Sequence, residues 1–349
     1  MGYDGTTRRA LVTGISGQDG AYLSKTLLEN GYEVFGGHRR SATQNLWRLD
    51  ELGIADKINI VDLELTEYSN ILNTVRDIAP SEVYNFSSQS DVAVSFKQPI
   101  FTGDVGALGV ARILDVIRAT DPSIRFYQAS SSEMFGIARE KPQSEETPFH
   151  PRSPYGVAKV YGHLATINYR ESYDMFAAAG IAFNHESPLR GVDFVTRKIT
   201  SGLAMILKGQ AKSITLGNLD SMRDWGHAAD YTHGMWLILQ QDTADDYVLA
   251  TGKSHSVREF VDLAAQAAGL NLEWSGEGLN ECAIDRKSGD TVIKIDKKYH
   301  RPAEVNSLTG DASKAKQKLK WRCNYSFEQL VSEMVKSDID FLERHGRFF

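Results

Sequence analysis

Along the first half of the chain, short apolar runs alternate with stretches of helical period. Ala10 to Thr13 is an apolar strand signal, followed by GISGQDG from Gly14 to Gly20. Tyr22 to Leu28 then carries apolar residues at helical spacing and stops at Asn30-Gly31. Strands follow at Glu33 to Gly37, Ile58 to Val61, Glu82 to Phe86 and Ile124 to Ala129, with helices expected over Thr66 to Ile78 and Gly103 to Ala119. Strands that alternate with helices predict a Rossmann-like, doubly wound parallel α/β sheet, with ligands at the carboxyl ends of the strands.

The alternation continues more loosely. Ser153-Pro154 opens a helix to about Tyr173, Gly180 to Phe183 is a sixth strand, and Ile199 to Lys208 a further helix. Tyr247 to Thr251 reads as a strand returning to the sheet, and Ser256 with Glu259 opens a helix through Ala268. From Leu270 the pattern weakens: a short strand at Thr291 to Ile295, a short helix capped by Asp311, and an amphipathic helix over Phe327 to Leu342 are expected. The chain thus divides into residues 1–184, with a returning segment at about 226–262, and a smaller, mixed α/β domain that is mainly 185–349.

Composition narrows the class. Hydrophobic residues are 42 % of the 349 and charged residues 24 %, the balance of a globular enzyme. A net charge of −6 argues against a nucleic-acid surface. The two cysteines, Cys282 and Cys323, lack metal-ligand spacing, so reduced thiols and no metal are expected. The polar start, Met1 to Arg9, does not resemble a secretion signal, and no apolar run reaches the ~20 residues of a membrane helix, so a cytoplasmic protein without membrane contact is expected.

The candidate chemistry lies on the strand ends. Gly14, Gly17 and Gly20 read G-x-x-G-x-x-G between a strand and a helix, the context in which a backbone turn and a helix N-terminus approach a dinucleotide pyrophosphate. After the second strand stand His38, Arg39, Arg40 and Ser41, which suit a 2′-phosphate and so favour NADP over NAD. Tyr155 and Lys159, four apart, share a helix face, so the ammonium can lower the phenol's pKa. About 0.7 Tyr-x-x-x-Lys pairs are expected by chance in such a chain, so the pair gains meaning only from the glycine turn upstream. Ser131 and Glu133 form a second proton-transfer pair at the end of the fifth strand. Arg190, Arg197, Lys198, Arg223 and Arg301 supply the second half with cations for a pyrophosphate-bearing substrate.

With these motifs in this order, the chain resembles the extended short-chain dehydrogenase/reductase superfamily. The blocks TGISGQDGAYL, YNFSSQS, FYQASSSEMFG, PRSPYGVAK, NHESPLRG, FVTRKI, LGNLDSMRDWGHAADY and RPAEV resemble, more narrowly, the GDP-mannose 4,6-dehydratase family. The resemblance implies a redox-neutral lyase. Tyr155, helped by Lys159, takes the proton of the sugar C4 hydroxyl while hydride passes to NADP+, and Glu133 takes the C5 proton. Water leaves from C6 with acid help from Glu133 or Ser131, and the hydride returns to C6. The resemblance further implies that Gly14, Ser16, Gly17, Gln18, Asp19, Arg39, Arg40, Ser41, Asp62, Leu63, Phe86, Ser88, Gln89, Ser90, Phe101, Tyr155, Lys159, His185 and Arg190 hold the cofactor. Ser88, Glu133, Asn184, Lys198, Leu216, Gly217, Arg223, Arg301 and Glu304 would line the GDP-sugar pocket, and a homodimer or homotetramer is implied.

Ser131 stands where the family has a threonine, Phe101 where it often has a tyrosine, and Asp91 where it often has a histidine. These departures keep the reaction and open the sugar. The alternative substrate is a GDP-manno-heptose or other GDP-sugar, and the alternative activity an NADP-linked nucleotide-sugar reductase or epimerase.

Overall fold

The computed structural model describes residues 7–299 and 307–348. Two compact units emerge, Met1–Phe183 with Ala228–Ala250 and Gly310–Arg322, and Asn184–His227 with Thr251–Thr309 and Cys323–Phe349.

The first unit is built on a seven-stranded sheet. Its strands are β1 (Arg9–Thr13), β2 (Glu33–His38), β3 (Ile58–Asp62), β4 (Glu82–Asn85), β5 (Arg125–Ser131), β6 (Ala177–Ala182) and β7 (Asp246–Leu249), ordered β7-β6-β5-β4-β1-β2-β3. All six pairings are parallel. Such a sheet is covered on both faces, which explains why β4 and β6 are buried along their whole length. β6 reads AAAGIA because its neighbour is large: a Cβ on Gly180 would run into the Tyr127 hydroxyl. The strand order reverses between β1 and β4, the switch point where α/β sheets bind ligands.

Helices depart from the sequence expectation in two places. The helix expected over Gly103 to Ala119 begins earlier, at Pro99, and contains a π-helical turn, Asp104–Leu108, before Gly109–Thr120. The widened turn brings Gly106 within close contact of Ala158 and Ser88, where a Cβ would stand 3.5 Å from the Ala158 Cβ and 3.2 Å from Ser88 Oγ. The short helix after Asp311 is a single π-helical turn, Ala315–Leu319.

Gly310–Arg322 joins the first unit, although the sequence pattern put it with the second. Trp321 explains this. Its indole is 1 % exposed, donates from Nε1 to Asp230 O at 2.7 Å and meets the Tyr231 ring edge-on. Gly234 makes room, since a Cβ there would stand 2.8 Å from the indole nitrogen.

The second unit has a mixed four-stranded sheet, Leu272–Ser275, Cys282–Asp285, Thr291–Ile295 and Ile214–Leu216, with the first two pairings antiparallel and the last parallel. Helices Val195–Leu207, Val257–Ala267 and Phe327–His345 pack a core around Trp225, Phe260 and Phe327. The last helix opens on a full capping box between Ser326 and Gln329.

Candidate active site

The carboxyl edge of the first unit's sheet gathers most of the candidate residues. Gly14 takes φ +69°, and a Cβ there would stand 3.0 Å from Ser87 N and 3.1 Å from the Phe86 carbonyl carbon. Gly20, in the first turn of the helix that follows, packs back on it, and a Cβ there would come 2.6 Å from Gly14 O. The turn is therefore compressed between β4's exit and the helix Gln18–Glu29. That helix opens on Gly17, which has no side chain to cap its first amides. A compressed glycine turn that opens on an uncapped helix N-terminus suits a pyrophosphate, so the residues present fit a dinucleotide.

Arg39, Arg40 and Ser41 follow β2, are exposed, and the two arginines form no ion pair among the described residues. Asp62 is exposed at the end of β3, and Leu63 packs its side chain against Gly37. Phe86, Ser88 and Gln89 are half-buried after β4, whereas Ser90 is exposed. The Gln89 amide braces its own loop, donating to Asp91 O at 2.9 Å and accepting from Asp91 N at 2.6 Å. Phe101 is 39 % exposed on the helix Pro99–Gly103.

Beneath these loops runs a buried polar chain that the apolar pattern concealed. Thr13 Oγ1 donates to Asn85 Oδ1 at 2.7 Å, Asn85 Nδ2 to Gln128 Oε1 at 2.8 Å, and Gln128 Nε2 to Ala129 O at 3.1 Å. It links β1, β4 and β5 and ends on the carbonyl that also receives Lys159.

Lys159 is the centre of the site. Pro154 begins its helix, Pro154–Tyr173, and Ser153 caps it by accepting from Gly156 N at 3.0 Å. Gly156 lets the first turn press on the Glu133 backbone, since a Cβ there would stand 2.8 Å from Glu133 O. Tyr155, half-buried, lies on this turn. Lys159 is 5 % exposed, donates from Nζ to Ala129 O at 2.7 Å, and lies 5.7 Å from the Tyr155 ring centroid. Burial pushes its pKa down to about 8, with the negative charge of Asp19 opposing.

Ser131 ends β5 and accepts from Glu133 N at 3.3 Å, so the hydroxyl is oriented by the chain itself without a threonine methyl. The structure thus brings Ser131, Glu133, Tyr155 and Lys159 to one strand end and the helix packed on it.

The remaining candidates stand in the second unit. Asn184 and His185 lie on the strand Asn184–Glu186, which pairs with Trp225–His227. Arg190 pairs with Glu186 (Nε to Oε2, 3.1 Å) and stacks on Phe194 at 3.7 Å. Lys198 Nζ stands 3.4 Å from the Tyr299 ring centroid, and Gly217 abuts the Tyr299 backbone, where a Cβ would be 2.6 Å from Tyr299 O. Tyr299 went unrecognised in the sequence, where nothing but its aromatic ring marks it. Leu216 buries its side chain in the unit's core, and its carbonyl accepts from Asp296 N at 2.9 Å. Arg223 is 6 % exposed and donates to Met222 O at 2.8 Å. Arg301 and Glu304 lie outside the described residues.

Arg197 is a correction. Expected among the substrate's cations, it is 1 % exposed and bonded inward: Nε donates to Asp338 Oδ1 at 2.6 Å, and Nη1 to the carbonyls of Pro188 and Arg190. A fully buried guanidinium needs such a carboxylate, and helix Phe327–His345 supplies it. Among the described residues no group of three or more His, Cys, Asp or Glu could hold a metal ion, and no helix is long and apolar enough to cross a membrane.

Comparisons place this geometry among known proteins. The chain is 47 % identical to a GDP-mannose 4,6-dehydratase of Yersinia enterocolitica, covering 97 % of this chain and 96 % of that one. A GDP-mannose 4,6 dehydratase of Homo sapiens is 46 % identical over 95 % of this chain and 92 % of its own. Among solved structures, dTDP-glucose 4,6-dehydratase of Bacillus anthracis in complex with NAD shares the fold at TM-score 0.79 and 19 % identity, over 97 % of this chain and 98 % of that one. The family model described as GDP-mannose 4,6 dehydratase matches residues 11–334, and the chain belongs to the GDP-mannose 4,6-dehydratase family.

Proposed function

We propose that the chain dehydrates GDP-mannose to GDP-4-keto-6-deoxymannose with NADP as cofactor. The observation that carries this reading is the buried ammonium of Lys159 beside Tyr155, at a strand end that also presents Ser131 and Glu133. A bound nicotinamide dinucleotide supplies a store for the hydride taken from C4 and returned to C6.

The protein's own groups do the proton work. Lys159 favours the Tyr155 phenolate, which takes the proton of the C4 hydroxyl. The ketone so formed acidifies the neighbouring C5–H, and the Glu133 carboxylate removes that proton. The C6 hydroxyl departs as water, protonated by Glu133 or Ser131, and as the hydride returns to C6 a proton returns to C5, which balances the one that Tyr155 took from the C4 hydroxyl. A plain dehydrogenase has no C5 proton to move, which gives a carboxylate at position 133 its purpose. Gly14 to Asp19, Phe86 to Ser90 and the Arg39–Ser41 segment would hold the cofactor, the two exposed arginines favouring the 2′-phosphate of NADP. In the second unit Asn184, Lys198, Gly217 and Arg223 would meet the nucleotide sugar.

A homodimer completes the reading. Val157, Tyr161 and Leu164, 46–57 % exposed, line one face of the Pro154–Tyr173 helix. Ile100 and Leu108 are exposed on the helical run packed beside it. Two adjoining helices with apolar outer faces suit a second copy of the chain. Leu164→Glu is expected to yield monomers by light scattering, and an unchanged assembly would refute this interface.

The central experiment is incubation with GDP-mannose and mass spectrometry for a product lighter by one water. Glu133→Gln is expected to abolish that loss while cofactor binding persists. Unchanged turnover would sink the mechanism, and reaction with another GDP-sugar only would move the substrate. Arg39→Glu is expected to weaken NADP relative to NAD by about tenfold or more. Equal preference would remove the assignment of the cofactor.

A further inference from the structure

The end of β5 is tied to the Pro154–Tyr173 helix at a second point that the proposed mechanism does not use. His163 follows Lys159 by one helical turn, as Ser130 follows Ala129 by one residue. Its Nδ1 lies 2.9 Å from Ser130 Oγ, and the two residues are 3 % and 4 % exposed. The ring meets Phe149 edge-on, with centroids 5.3 Å apart and planes at 90°. Burial holds its pKa below the ordinary histidine value; Asp246 opposes this and Arg170 adds to it. Those two charges are paired with each other at 2.7 Å.

We propose that His163 is a positioning residue of the reaction, holding Ser130 so that Ser131 and Glu133 keep their place relative to Tyr155. The proposal rests on the reading of Tyr155, Lys159, Ser131 and Glu133 as the proton-transfer groups. Pairing with β6 through Ser131 holds the strand in the sheet, and the bond from Lys159 to Ala129 O ties the helix to it at one point, about which the helix could still turn. A second anchor one turn along the helix and one residue along the strand removes that freedom. Residues 131 and 133 follow directly, and the Gly156 contact at Glu133 O closes the same interface from the other side. A neutral imidazole is suited to the task, because its Nδ1 can donate to or accept from a hydroxyl while placing no charge beside the Lys159 ammonium.

His163→Leu is expected to lower kcat about tenfold to a hundredfold, because small displacements of reacting groups are that costly. KM for the nucleotide sugar should stay within about threefold, since ground-state binding is untouched. His163→Asn, whose side-chain oxygen can replace Nδ1, should recover most of the loss. Ser130→Ala should match His163→Leu, and the double variant should be no worse than either, the mark of one shared interaction. Hydrogen exchange of the amides of residues 129–133 should quicken in His163→Leu. Wild-type kcat with wild-type exchange overturns the proposal, as does a double variant whose losses multiply or a fall in thermal stability with kcat per folded molecule intact. Tyr155→Phe separates the two readings. If it keeps full turnover the proton-transfer assignment falls, and the proposal with it. If Tyr155→Phe is inactive while His163→Leu turns over normally, only the positioning role is lost.

Discussion

Two buried cations solve the same problem differently. Lys159, in the first unit, has no ion pair among the described residues and donates to a backbone carbonyl, whereas Arg197, in the second, is bonded to Asp338 at 2.6 Å. Burial outweighs the help that Lys159 receives from Asp19 and pushes its pKa down to about 8. Even beside Arg197, burial pushes Asp338 up to about 6. The lone ammonium is thereby left close to titration, as the proposed proton transfer requires, and the paired guanidinium is committed to holding the Pro188 and Arg190 carbonyls. In the proposed mechanism one buried charge serves chemistry, while the other serves architecture.

The comparison breaks most visibly at Lys159. Lys159→Met is expected to lower kcat about a hundredfold to ten-thousandfold, the range of a lost acid–base contribution, with no loss of thermal stability at pH 7 because a desolvated charge is removed. A melting temperature that falls with activity would make Lys159 structural. Arg197→Met should do the reverse. Leaving Asp338 buried without its partner should cost about 3–5 kcal/mol in chemical denaturation, and Arg197→Met with Asp338→Leu should recover much of that. A single variant as stable as wild type would remove the pair from the fold's support.

pH sharpens the contrast. Because the folded pKa of Lys159 lies below its ordinary 10.5, the folded protein binds fewer protons than the unfolded chain between about 8 and 10.5. Stability contributed at this site therefore rises with pH across that window. The ammonium proposed to support Tyr155 is lost over the same range, so kcat should decline with a midpoint near 8, and Lys159→Arg should move the decline upward. A profile flat to pH 10 would contradict this. Asp338 has the opposite sign: between 3.8 and about 6 the folded protein binds more protons, and stability at this site falls as pH rises. Asp338→Asn should flatten that part of the stability profile. The smallest effect is expected at the helix that carries Asp338. Ser326→Ala removes half of its capping box and should cost about 1 kcal/mol with kcat unchanged.

What could be read directly from the sequence is what local rules determine. The strand–glycine–helix turn, the cap at Ser153, the Tyr155/Lys159 face and the parallel alternation depend on residues within a few positions of one another. What only the tertiary structure decided is the identity of distant partners. Lys159 bonds a carbonyl 30 residues away, Arg197 a carboxylate 141 residues away, and Trp321 returns to Asp230 across 91 residues. Arg197 and Lys198 are adjacent in sequence and both basic, yet one is sealed inside and the other reaches the Tyr299 ring. Successive residues on a helix point about 100° apart, so the pattern assigns each a direction but not what waits there. Periodicity records which positions are buried; whether a buried charge meets a carboxylate, a carbonyl or a hydroxyl is settled only when the other segments pack against it.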